Sequence, residues 1–454
     1  MANERPNFVI FYTDDQGYGD LSCMGATDFE TPHLDGLAAS GVRFTDWYSN
    51  SPVCSPSRAS LLTGRYPVHA GVRSILAGHR QSTGLWPEVP TVAKALKPLG
   101  YRTAMFGKWH LGVAEECQPH HHGFDDWFGF LAGCIDYYSH IFYWGMAGKT
   151  DPVHDLWENG KEIWDNGSYF TEMITERAVG WLDRHAAEAE GSPFFLYVPY
   201  NAPHYPMHAP QRYLDRFPGL PWDRQIMAAM MSAVDDGVGE ILATLSRHGM
   251  RNNTCVFFQS DNGPSRETRN WLDGTPDPYY GGSAGKLKGH KFSLYEGGVR
   301  MPAIMSWPAR IPSGQVVSEV AAAMDIFPTF LSAACGSVRE YEPDGKDILP
   351  LVTDGAPTPH QRVFWEQGNQ TAVRQGKWKL VLNGQLVEGA PPEDAVHLAN
   401  LEEDLGERVN LKDSEPRVTE RLKAAAEAWR AEIDRHWETR WGPRATLHTG
   451  HPGR

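Results

Sequence analysis

A chain of 454 residues with a formal net charge of −14 is too long for one small domain, and one large domain with a smaller companion is the expected arrangement. Hydrophobic residues at 41% and charged residues at 22% fit a globular protein, while the acidic balance argues against nucleic acid as the main partner and leaves room for a small anion in a local basic pocket. Six scattered cysteines read as reduced thiols; with neither a basic-plus-apolar leader nor an apolar run of bilayer length, the chain as written is expected in the cytoplasm and off the membrane, or in the periplasm or secreted if a leader has been trimmed.

Residues 8–12 are continuously apolar and β-rich, the pattern of a strand covered on both faces, and they run into Asp14 and Asp15. Two adjacent carboxylates at the end of a buried strand repel each other unless a cation or a basic group lies between them. The ordinary alternative is a solvated loop pair. Residues 33–40 read as a helix stopped by Gly41. In the stretch from Val53 to Pro67, Ser55 and Pro56 suit a helix start, Leu61 and Leu62 give an apolar side, and Gly64 ends the helix. Cys54 is therefore expected just before a helix N-terminus, where unpaired N–H groups and the dipole favour an anion. Arg58, one turn on, adds a fork of donors beside the sulfur. Taken alone, such a cysteine is a buried structural residue or a low-pKa thiol. His69 reads as structural.

Residues 91–99 read as a helix closed by Gly100, followed by a strand over 102–106 and then Gly107-Lys108-Trp109-His110-Leu111-Gly112. Lys108 and His110, two apart, share a face of extended backbone, and the flanking glycines let that backbone approach a ligand. His120, His121 and His122 cannot all point at one ion from regular structure and read as part of a turn. Asp136, Tyr137, Tyr138 and His140 form an irregular aromatic stretch, a candidate pocket lining. Residues 168–187 are helical in period, and the strand over 193–198 delivers Asn201-Ala202-Pro203-His204. Residues 222–248 read as a long packing helix, so Asp235 and Asp236 inside it are not expected to bind metal. The strand over 255–258 ends in Ser260-Asp261-Asn262-Gly263, a common turn in isolation but here placed to return two oxygen ligands to the edge that carries Asp14 and Asp15. Residues 264–285 form a long polar, aromatic loop of the kind that binds ligands. A last core strand over 303–307 and a helix over 324–334 follow. From about 357 come short strands over 362–365, 370–373 and 378–382, an acidic turn, a helix over 415–438 and a loose tail from 441.

Strands alternating with helices bind ligands outside the strands' carboxyl ends, so these polar ends are expected to share one crevice. Asp14, Asp15, Asp261 and Asn262 offer three carboxylates and one amide oxygen, a set for a hard cation, Ca²⁺ first and Mg²⁺ second, rather than zinc.

Cys54-x-Pro56-x-Arg58 followed by Leu62-Thr63-Gly64-Arg65 resembles the signature of the type I, formylglycine-dependent sulfatases of the alkaline phosphatase superfamily. Residues 107–112, Asn201-x-Pro203-His204 and the segment from Lys291 to Glu296-Gly297-Gly298 resemble further motifs of that family. The resemblance implies an α/β fold: a large mixed, mostly parallel sheet between helices over 1–356, and over 357–454 a smaller α+β domain of antiparallel strands and one helix. It implies that a formylglycine-generating enzyme converts Cys54, and that the modified residue joins Asp14, Asp15, Asp261 and Asn262 around one Ca²⁺. It implies a catalytic set of Cys54, Arg58, Lys108, His110, His204 and Lys291. In that scheme the aldehyde hydrate attacks sulfur with Asp261 as a base, His204 protonates the departing oxygen, His110 takes the proton that lets sulfate leave, and Arg58, Lys108 and Lys291 hold the sulfuryl oxygens. Lys286 and Lys288 read as solvated or at the pocket rim. The substrate class is a small aryl or sugar sulfate. The competing expectations are a formylglycine-dependent phosphonate monoester or phosphodiester hydrolase and a non-catalytic binder of sulfated glycans. A thiol phosphatase would want Cys-x5-Arg, and position 60 is Ser60. The oligomeric state stays open.

Overall fold

The computed structural model describes residues 5–142, 152–188, 191–266 and 280–445. The apolar runs gather into one ten-stranded sheet. Its middle is five mutually parallel strands in the spatial order Thr254–Ser260, Asn7–Thr13, Phe194–Pro199, Arg102–Lys108 and Asp126–Phe130. Antiparallel pairs flank them. On one side lie Ala303–Ser306 and Val42–Phe44, with the short edge strand Gln315–Val317; on the other lies the hairpin of Trp157–Glu158 and Lys161–Glu162. The sheet is thus mixed with a parallel heart, as the sequence leads one to expect.

Alternate residues of the central strands feed two cores, because successive side chains point to opposite faces. Phe8, Ile10 and Tyr12 enter one core with Leu61, Leu62, Val92 and Phe327, from the helices Cys54–Thr63, Val92–Leu96 and Ile326–Ala333. Val9 and Phe11 enter the other with Ile174 and Met230, from Phe170–Glu188 and Trp222–Arg247. Helices therefore cover both faces, and the strands' carboxyl ends are left to line one crevice. Asp235 is a helix cap rather than a ligand: its carboxylate accepts from His33 N at 3.1 Å and Leu34 N at 2.8 Å, at the start of Pro32–Ala39. Asp236 pairs with Arg216.

The C-terminal part is a four-stranded antiparallel sheet, Val363–Gln367, Gln370–Gln375, Trp378–Gly384 and Asp394–Asn400, with the helix Pro416–His436 packed against it. The fourth strand is a correction, since the acidic stretch before it reads as the end of the sheet. A buried ion network joins this sheet to the larger one. Lys379 Nζ lies 2.8 Å from Glu296, Arg300 pairs with both Glu296 and Asp46, and Arg374 pairs with Asp46 at 2.6 Å. A second correction concerns the tail. Trp441 is not loose: it is 1% exposed, and its indole rests on Gly71, whose φ of +82° and missing Cβ make room for the ring. Residues 446–454 lie outside the described residues. Among the described residues no helix is long and apolar enough to cross a membrane.

Candidate active site

Each central strand delivers polar groups where its apolar run stops. Asp14 and Asp15 follow Asn7–Thr13, Lys108 closes Arg102–Lys108, the turn carrying His204 follows Phe194–Pro199, and Asp261 and Asn262 follow Thr254–Ser260. Gly107 has φ +137°, and a Cβ there would stand 2.1 Å from Pro199 O, so this close passage of strand against strand requires glycine. Lys291 arrives from a loop whose next residue, Phe292, has φ +72°.

These side chains converge. Asp14 Oδ2 accepts from Lys108 Nζ at 2.5 Å and lies 3.5 Å from Arg58 Nη2. Arg58 Nη2 donates to Asp261 Oδ2 at 2.9 Å, and its Nη1 donates to Lys108 O. Asp15 Oδ1 accepts from Asn262 Nδ2 at 2.7 Å; Asp15 Oδ2 accepts from Lys291 Nζ at 3.0 Å and lies 3.6 Å from His204 Nε2. Lys291 Nζ is also 3.3 Å from that nitrogen. His204 Nδ1 donates to Tyr205 O at 2.7 Å, so Nε2 is the atom presented to the site.

Electrostatics follow from burial. Burial, and then the negative charge of Asp14, raise the Asp261 carboxyl, whereas for Asp14 the opposing charges of Lys108, His204 and Arg58 outweigh burial and hold it well below the carboxylate range. Burial lowers His204 to about 4 against the pull of Asp14 and Asp15. His110 is held well below its ordinary value by burial and then by Lys108 and Arg58. Burial pushes the Cys54 thiol up to about 11, more than Lys108 and Lys291 can reverse. Burial thus works against the thiolate that the helix start would favour.

Three local expectations are corrected. Cys54 is the first residue of its helix, not the residue before it, and Ser55 does not cap that helix: its Oγ accepts from Leu76 N at 3.1 Å. Arg58 is held by Asp261 and Asp14. His110 does not share an extended face with Lys108, because the strand ends at Lys108 and His110 has φ +52°. Its Nε2 bonds Leu76 O at 3.2 Å, which ties it to the residue that Ser55 holds, and its Nδ1 is buried without a hydrogen-bond partner among the described residues.

Two supporting residues were not singled out in the sequence. Ser57 Oγ donates to Asp261 O at 2.6 Å and meets Tyr12 OH at 2.9 Å, pinning the Cys54 helix to the turn that carries Asp261 and Asn262. Tyr137, noted only as part of an aromatic stretch, donates to Asn201 O and His204 O and so fixes the His204 turn from beneath. Lys288 pairs with Glu393 and Lys286 is exposed, in keeping with positions outside the site. His122 is buried, while His120 and His121 both bond Glu115, so the three histidines do not converge. Of the loop over 264–285, residues 267–279 lie outside the described residues.

The donor set fits a hard dication. Asp14 Oδ1 and Asn262 Oδ1 are buried acceptors without a hydrogen-bond partner among the described residues, an arrangement costly in a protein interior unless a cation takes the lone pairs. Ligand atoms of Asp14, Asp15 and His204 come within 4.8 Å of one another, all three residues buried.

Fold and site together define a hydrolase of the alkaline phosphatase type, with oxygen ligands, cations and two histidines on the carboxyl edge of a largely parallel sheet. The chain belongs to the sulfatase family, whose model, described as Sulfatase, matches residues 6–337. Mouse arylsulfatase J is 32% identical over 93% of this chain and 75% of its own length. Mouse N-acetylgalactosamine-6-sulfatase is 35% identical over 84% of this chain and 72% of its own. The crystal structure of Ps i-CgsB in complex with k-i-k-neocarrahexaose superposes with a TM-score of 0.83 at 29% identity, covering 98% of this chain and 99% of that one. The chain is accordingly a sulfatase, a hydrolase of sulfate monoesters. These relatives do not favour the phosphonate or phosphodiester alternative or the non-catalytic glycan binder.

Proposed function

We propose that this sulfatase acts on a carbohydrate sulfate with Cys54 matured to formylglycine, and that Asp14, Asp15, Asp261 and Asn262 hold one divalent cation, Ca²⁺ before Mg²⁺, beside it. The observation that carries the proposal is the pocket at Cys54, where buried Lys108 and Lys291 stand with Asp14 Oδ1 and Asn262 Oδ1, buried acceptors without a hydrogen-bond partner among the described residues: a pocket built for anions and a hard cation. The matured residue would supply an oxygen nucleophile as its aldehyde hydrate, and the cation would supply positive charge for that oxygen and for the sulfuryl group. Carbohydrate rather than aryl sulfate is favoured because one relative is named for N-acetylgalactosamine-6-sulfate and the similar structure holds a neocarrahexaose.

The chain's own residues divide the remaining work. Lys108, Lys291 and Arg58, all buried, bind the sulfuryl oxygens and the carboxylates that organise them, and in a dry site such fixed cations are worth more than in water. Proton delivery to the departing oxygen runs through His204 Nε2, which, with the ring's own N–H committed to Tyr205 O, draws the proton from Lys291 Nζ 3.3 Å away. His110, with Nε2 committed to Leu76 O, takes up a proton at Nδ1 when sulfate is freed. In this reading residues 1–356 carry the chemistry, and Gln370, in the domain over 357–454, braces the Lys291 segment. A small sulfated sugar and, during maturation, a formylglycine-generating enzyme are the partners. The test is kinetics on matched sulfate, phosphodiester and phosphonate esters, followed by a panel of sulfated sugars. Higher kcat/KM on the sulfate series, and on sugar over aryl sulfates, is expected; preference for the phosphorus esters would overturn the assignment.

A further inference from the structure

Away from the hydrolytic site, three metal-ligating side chains from two separate elements meet between the short helix Pro67–Ala70 and the helix Pro416–His436. His69 belongs to the first. Glu432 and His436 belong to the second, one turn apart and so on the same face. One donor atom from each lies within 4.8 Å of the other two. His69 Nδ1 is engaged by Asp344 Oδ2 at 2.7 Å, which leaves its Nε2 as the outward nitrogen, 3.7 Å from Glu432 Oε1. The rings of His69 and His436 stand 4.8 Å apart between centroids and are inclined by 61°, so they do not stack. Nε2 of His436 is buried and has no hydrogen-bond partner among the described residues.

We infer that His69, Glu432 and His436 hold a divalent transition-metal ion, zinc being the expected occupant, with Asp344 orienting His69 from behind. Two imidazoles and one carboxylate form a borderline set that suits Zn²⁺, in contrast to the oxygen set of the hydrolytic site. A histidine that gives one nitrogen to a metal and the other to a carboxylate is the recurrent arrangement of such centres, and the Asp344–His69 bond already provides half of it. Zinc bonds of about 2.0–2.1 Å require the three donor atoms to draw together from their present spacing. Glu432 can close that gap, because its side chain is 50% exposed and unconstrained by packing. Arg65 and Arg440 act electrostatically on the two histidines, and Asp344 and Glu432 offset them. A fourth position is left for water. Such an ion would fasten the last long helix to the turn that follows the Cys54 helix, and it would be independent of hydrolysis.

The test uses tag-free, full-length protein with excess Ca²⁺ present to occupy the oxygen-rich site, titrated with Co²⁺ as a visible probe and then with Zn²⁺ as competitor. One equivalent of Co²⁺ is expected to give a low-symmetry visible band that Zn²⁺ displaces, and Zn²⁺ is expected to raise the unfolding temperature. The band should vanish in His436→Ala and His69→Ala. It should weaken at least tenfold in affinity in Glu432→Gln, and by about 10–100-fold in Asp344→Asn. Asp15→Asn, in the hydrolytic site, should leave it unchanged. Far-ultraviolet circular dichroism checks that each variant folds, and Glu432→Gln, being conservative and exposed, keeps the test alive if a histidine variant does not. Absence of the band in the unmodified protein, or wild-type affinity in Glu432→Gln and His436→Ala, would overturn the site.

Discussion

Gln370→Leu tests whether the C-terminal sheet holds the active-site lysine in place. Gln370 is 1% exposed, and its side chain makes four bonds: Nε2 donates to Phe292 O at 2.8 Å and to Gln385 Oε1 at 3.5 Å, while Oε1 accepts from Leu294 N at 3.3 Å and Gln385 N at 3.0 Å. Phe292 directly follows Lys291, and its own N donates to Pro52 O, two residues from Cys54. Leucine fills nearly the same space and removes all four bonds. It leaves two buried N–H groups and a carbonyl to be desolvated, at about 1–3 kcal/mol each before relaxation, so a loss of about 3 kcal/mol in stability is expected. A shift of Lys291 Nζ by a fraction of an ångström from Asp15 and His204 should lower kcat/KM by about 10–100-fold. Gln370→Glu keeps the acceptor for both N–H groups but turns a buried carboxylate oxygen towards Phe292 O and Gln385 Oε1, so it should be at least as damaging as leucine. Urea unfolding followed by tryptophan fluorescence, and steady-state turnover of an aryl sulfate, provide the two readings. A leucine variant with wild-type kcat/KM would refute the bracing role.

Three further outcomes are expected. Lys108→Ala, which removes the 2.5 Å contact to Asp14, should cost about 10²–10³ in kcat, near 3–4 kcal/mol of transition-state stabilisation, as read from saturation kinetics. Exhaustive dialysis against EDTA should abolish turnover and Ca²⁺ should restore it better than Mg²⁺; full activity in the chelated protein would contradict the ligand assignment of Asp14, Asp15, Asp261 and Asn262. His122 is lowered to about 3 by burial and then by the charge of Lys94, so the unfolded chain takes up this proton below about pH 6.5 and the folded one does not. Its contribution to stability is present above that pH and is lost as pH falls towards 3. Wild type should therefore lose about 2–3 kcal/mol more than His122→Phe between pH 6.5 and 4.5, measured as the difference in urea midpoints.

The site was legible wherever a buried strand ends in polar groups, because an apolar β-rich run and its terminating residues lie in one stretch of sequence. Asp14, Asp15, Lys108, His204, Asp261 and Asn262 all carry that signal, and the parallel pairing places them on one edge. What stayed hidden depends on partners far along the chain. Gln370 meets Leu294 across 76 residues, and Ser57 meets Asp261 across 204. The strand Asp394–Asn400 was masked by the acidic stretch before it, although Val396 and Leu398 alternate as a one-sided strand should. Trp441 read as tail because only Gly71, in another element, shows where an indole fits. Helix-start chemistry favours a thiolate at Cys54; burial, a property of the folded chain, works the other way.

The state of residue 54 tests the central claim most directly. A mass spectrum of the proteolytic peptide that contains Ser55, Pro56 and Arg58, taken from protein co-produced with a formylglycine-generating enzyme, should show the thiol residue replaced by an aldehyde that reacts with a hydrazide. Turnover should rise in proportion to the converted fraction and be absent in Cys54→Ala. An unmodified cysteine in fully active protein, or wild-type turnover in Cys54→Ala, would contradict it.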